Sequence, residues 1–77
     1  MYNSLKLMTL AAFERRGWLN PPTVSQLTGY RPVRAVYSYL LKLHRWGLLL
    51  RQRDDRGLLL YRLSDRGRDR LAWLKRT

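Results

Sequence analysis

Glycine and proline cut this chain into short pieces, and that punctuation limits what it can fold into. Gly17 ends the first piece, Pro21-Pro22 precede the second, Gly29 closes it, Pro32 opens the third, and Gly47 and Gly57 bracket the fourth. Between Ser4 and Arg16 there are good helix formers and no breaker, which predicts a helix. Its apolar residues Leu5, Leu7, Met8, Leu10, Ala11, Ala12 and Phe13 cover most of the circumference, more than one amphipathic stripe needs. Trp18 to Asn20 reads as a short extended piece, because Pro21-Pro22 disfavours helix before it. Thr23 with Gln26 then reads as a capping box that starts a short helix, with Val24 and Leu27 inward and Gly29 left-handed at its end.

The third helix is expected from Pro32 to Trp46, with proline at its first position. Val33, Val36, Leu40 and Leu43 recur at spacings of three and four and mark its buried stripe. Arg34, Tyr37, Ser38, Lys42 and Arg45 occupy the other side, with Leu41 among them. Strands are expected at Leu48 to Arg53 and Leu58 to Leu63, around the turn Asp54-Asp55-Arg56-Gly57. Ser64 caps a last helix with Asp65 in its first turn and Lys75-Arg76 in its last, both favourable to the helix dipole.

Charge narrows the function. Sixteen Lys and Arg stand against five Asp and Glu, a net charge of +11. Such an excess on 77 residues implies an anionic polymer as partner, most simply nucleic acid. Thirteen of the cations are Arg, whose planar fork suits phosphates and guanine edges. A GC-rich coding bias would also raise Arg and Leu, but it does not explain the shortage of acids. With no cysteine and only His44, no disulfide and no metal site is expected, and no cofactor. No apolar run approaches the length of a membrane span or signal peptide, so a cytoplasmic, nucleoid-associated protein without membrane contact is expected.

Two stretches carry a resemblance. Leu27-Thr28-Gly29-Tyr30, followed by a helix ending Leu43-His44-Arg45-Trp46-Gly47-Leu48-Leu49, resembles the helix-turn-helix of winged-helix regulators. Tyr61-Arg62-Leu63-Ser64-Asp65-Arg66-Gly67 is similar to the end of the wing and start of the final helix in the MarR and PadR type families. The resemblance spans residues 5–74 and implies an α+β winged helix-turn-helix: a three-helix core, a two-stranded wing and a C-terminal helix, as one domain over 1–77. It also implies a sequence-specific double-stranded DNA-binding protein, a transcriptional regulator. In such a motif the second helix enters the major groove, so Arg31, Arg34, Tyr37 and Ser38 are expected at base edges, with Lys42 and Arg45 at phosphates. Arg51, Arg53, Arg56 and Arg62 lie along the wing, for the DNA backbone. Thr23 heads a helix that could hold a phosphate, although a plain cap explains it equally.

Other readings stand beside this one. A solvated basic face would carry the same arginines. Tyr37, Leu41 and the leucine-rich wing would also suit a protein-interaction module of a nucleoprotein assembly, and charge alone would suffice for a nonspecific nucleic-acid-binding protein. Catalysis has little support, since Glu14, Asp54, Asp55, Asp65 and Asp69 do not gather near His44 in the sequence, so the chain reads as a non-enzyme. Leu5, Met8, Ala12 and Trp73 form a candidate homodimer seam, against ordinary partial burial of bulky side chains. The DNA target and any small-molecule effector are not written in the sequence.

Overall fold

The computed structural model describes residues 3–76. Its elements run α1 (Asn3–Phe13), α2 (Pro21–Thr28), α3 (Val33–Arg45), β1 (Leu49–Arg53), β2 (Leu59–Leu63) and α4 (Asp65–Arg76). The α+β class and the expected order hold. Boundaries differ where the caps differ from expectation.

α1 stops at Phe13, short of Gly17. The Glu14 and Arg16 amides donate to the Ala11 and Phe13 carbonyls in tight turns, and the Arg16 guanidinium donates to Ala12 O at 3.2 Å. The chain then passes through Leu19, which exchanges backbone hydrogen bonds of 2.8 and 2.9 Å with Tyr61 and so extends the free edge of β2.

α2 is capped by Asn20, not Thr23. The Asn20 Oδ1 accepts from the Thr23 amide at 2.8 Å. Pro21 and Pro22 have no amide to leave unpaired and a φ already suited to the first turn, so the helix starts on them and the cap shifts upstream. Leu27, expected inward, is exposed, because the buried side of α2 is Pro21, Val24 and Ser25. Ser25 fixes that side by donating to the Tyr30 carbonyl at 2.8 Å. Gly29 is left-handed, as expected.

α3 begins at Val33, with Pro32 as its N-cap and a cis Arg31–Pro32 peptide ahead of it. The Pro32 carbonyl accepts from the Ala35 and Val36 amides. Val33, expected in the buried stripe, lies in the overhanging first turn and is exposed, while Val36, Leu40 and Leu43 are buried. Gly47 ends the helix at φ 81°, which lets the Leu48 amide return to the Leu43 carbonyl.

β1 and β2 pair antiparallel, from Leu49 opposite Leu63 to Arg53 opposite Leu59. Ser64 joins this wing to both neighbouring helices. Its hydroxyl donates to Gly47 O at 2.6 Å and accepts from the Gly67 amide at 2.9 Å, capping α4. The core draws on every element: Leu10, Phe13, Val24, Val36, Leu40, Leu43, Leu49, Tyr61, Leu63, Leu71 and Leu74 are all buried. Ala12 is buried too. It faces α1's neighbours inside the monomer, which removes it from the outward seam expected for it.

Candidate nucleic-acid interface

The α2–turn–α3 unit presents one long side of α3 to solvent. At about 100° per residue, Arg34, Ser38, Leu41 and Arg45 lie opposite the buried Val36, Leu40 and Leu43. Arg34, Ser38 and Arg45 are exposed and Leu41 is half-buried. No carboxylate occurs anywhere on α3. Arg31 is exposed in the turn just ahead of it.

The two flanks of α3 differ. On one flank Tyr37 is exposed. Burial pushes the Tyr61 hydroxyl above its usual range, Arg51 and Arg53 pull it back, and Tyr37 raises it again. Arg51 pairs with Tyr61 across the wing and Arg53 stands two residues on, so both lie on the wing face that carries the buried Tyr61 ring. On the other flank Lys42 shares a shallow groove with Tyr30, Pro32, Arg34, Ser38 and Tyr39. Tyr30 and Tyr39 meet edge to face at 6.0 Å and hold that wall. Burial there pushes the Tyr39 hydroxyl upward.

Strand period decides which wing arginines share a side. Arg51 and Arg53 alternate with Leu50 and Gln52, and Arg62 pairs with Leu50, so Arg62 lies on the opposite face from Arg51 and Arg53. The four wing arginines are thus not one row. Arg56 sits exposed at the tip. Asp54 does not oppose phosphates freely there, because its Oδ1 accepts from the Arg56 and Leu58 amides at 2.8 and 2.9 Å. The Arg53 guanidinium closes the same loop by donating to Gly57 O at 2.7 Å.

Thr23 lies in the first turn of α2 with its amide already engaged by Asn20. Asn20 is the residue that sequence reasoning missed, and an Asn directly before Pro-Pro was its signal. His44 Nδ1 lies 2.8 Å from the Leu49 carbonyl, so the ring serves the α3–β1 junction. Glu14 is bound to Lys75 and Asp65 to Arg68. The carboxylates are dispersed, and among the described residues no three His, Asp or Glu converge on a metal-sized site.

Solved structures share this arrangement. BpsR of Bordetella bronchiseptica, whose DNA binding is regulated by 6-hydroxynicotinic acid, superposes with a TM-score of 0.81 at 21% identity, over 92% of this chain and 51% of its own. YusO of Bacillus subtilis gives 0.80 at 18% identity, over 90% of this chain and 50% of its own. The fold is a winged helix. This winged helix spans about half the length of either structure. No protein-family pattern and no curated protein matches its sequence. No helix among the described residues is long and apolar enough to cross a membrane.

Proposed function

We propose that this winged helix is a non-catalytic, DNA-binding regulatory module that sets α3 in the major groove and lays the wing on the backbone. One observation carries the reading: the exposed side of α3 bears Arg34, Ser38 and Arg45, with no carboxylate on the helix. A helix of this width fits the major groove, and its N-terminal half brings Arg31, Arg34, Tyr37 and Ser38 towards base edges. Arg34 is suited to guanine, which it can grip through two hydrogen bonds. Arg45, Arg51, Arg53 and Arg56 would then meet phosphates, as would Lys42 from the flank.

Exposed Leu50 and Leu58 favour a second reading, in which the wing's other face docks a protein. The two are separated by selecting bound duplexes from a random pool at about 150 mM salt. Enrichment of a defined motif supports base reading by α3. Retention without enrichment reduces the function to nonspecific binding, and no retention leaves the protein-docking module.

A further inference from the structure

Two tryptophans stand half-exposed in a basic strip on the α1–α4 side of the molecule. Trp46 follows the last turn of α3 at 48% exposure, and Trp73 lies late in α4 at 45%. Cations lean on both rings. The Lys6 and Lys42 ammoniums lie 4.8 and 5.8 Å from the Trp46 centroid, and the Arg70 guanidinium lies 5.3 Å from that of Trp73.

Two adjoining hollows join the rings. Lys6, Arg45, Trp46, Leu48, Arg66 and Arg70 line one, and Arg66, Asp69, Arg70 and Trp73 line the other. Arg66 and Arg70 belong to both. The α-helical repeat explains the continuity, since Arg66, Arg70 and Trp73 stand at i, i+4 and i+7 on one face of α4. Asp69 is the sole carboxylate lining these hollows.

The occupant must supply negative charge and flat apolar faces together. A second copy of this chain does not, because a two-fold contact would press Arg66 and Arg70 against their own kind. Duplex DNA supplies phosphates but keeps its base faces stacked inside. A single strand offers both at a regular spacing.

We propose that the Trp46–Trp73 strip binds single-stranded nucleic acid, with bases stacked on the two indoles and phosphates held by Lys6, Arg45, Arg66 and Arg70. The site shares Arg45 with the major-groove reading but does not rest on it. Arg66 and Trp73 stand seven positions apart on α4, about 10 Å of helix. A strand at its stacked spacing of about 3.4 Å covers that in about three nucleotides. Lys6 and Arg70, now over the rings, are long enough to swing to phosphates as bases replace them.

The test is titration of the 77-residue chain with a twelve-nucleotide oligo-dT, an oligo-rU and an abasic deoxyribose-phosphate strand of equal length, read by tryptophan fluorescence and anisotropy. The expected result is quenching by dT or rU, with the abasic strand at least about tenfold weaker. Trp46→Ala and Trp73→Ala should each weaken dT binding by about 5- to 150-fold. Trp73→Phe should stay within a few-fold of wild type, which separates lost stacking from lost folding. Equal affinity for abasic and dT strands would overturn the proposal, as would unchanged dT binding in both alanine variants. Self-association abolished by Trp73→Ala would also overturn it, in favour of a second copy.

Discussion

Arg34 and Arg51 carry the same charge but are placed for different work. Arg34 is exposed in the first turns of α3, whereas Arg51 lies in the wing, paired with Tyr61. Arg34→Ala should therefore weaken a preferred duplex by about 1–3 kcal/mol more than random duplex, measured by competition binding. Arg51→Ala should weaken both alike and flatten the salt dependence by about one phosphate's worth. Equal losses on both duplexes from Arg34→Ala would make it a phosphate contact. A different residue tests the core. The Thr9 hydroxyl is buried without a hydrogen-bond partner. Thr9→Val keeps the branched shape and removes the desolvated group, so it should raise stability by about 1 kcal/mol in urea unfolding.

Packing between elements gives sharper expectations. A Cβ on Gly67 would overlap the Leu48 carbonyl and crowd Leu63, since α4 rests directly on the backbone entering the wing. Gly67→Ala gains about 1 kcal/mol of helix propensity. The clash is with backbone that cannot swing aside, so a net loss of about 1–3 kcal/mol is expected by thermal or urea melting. α1 and α4 are also tied by Lys75, which donates to both Glu14 oxygens at 2.8 Å. That hydrogen bond, more than the nearby charges, holds the Glu14 carboxyl below its usual range. A lowered folded-state value means the stabilisation is full above the unfolded carboxylate value and fades as pH falls through the folded one. Glu14→Gln should thus melt slightly below wild type at neutral pH, with the gap closing in strong acid.

Much of this architecture is legible in the sequence because periodicity and breakers are local: the α3 stripe at Val36, Leu40 and Leu43, the Ser64 cap and the wing turn all depend on near neighbours along the chain. Asn20, Leu27 and Val33 defeat a local reading because competing caps and the edge of a core are decided by tertiary contacts. The site divides the same way. The basic side of α3 can be read from its spacing, but the separation of Arg62 from Arg51 needs the strand register. Arg66, Arg70 and Trp73 repeat at helical spacing, but only the fold brings Trp46 and Lys6 to them.

For the whole molecule the question is assembly. With Ala12 buried, the expected seam keeps Leu5, Met8 and Trp73. A stable interface covers about 800 Å² per partner, far more than three side chains offer. This 77-residue chain should therefore sediment as a monomer at micromolar concentration. A dimer would contradict that, and its loss in Met8→Glu would locate the seam on α1.

The wing tip has a consequence for how DNA would be met. Its backbone is already engaged within the loop: Asp54 accepts from Arg56 and Leu58, the Asp54 and Gly57 amides bond Leu58 O and Asp54 O, and Arg53 closes on Gly57. A loop folded on itself in this way has its shape before any partner arrives. Docking would then order few backbone torsions there, and the unfavourable entropy of association would fall on the long arginine side chains instead.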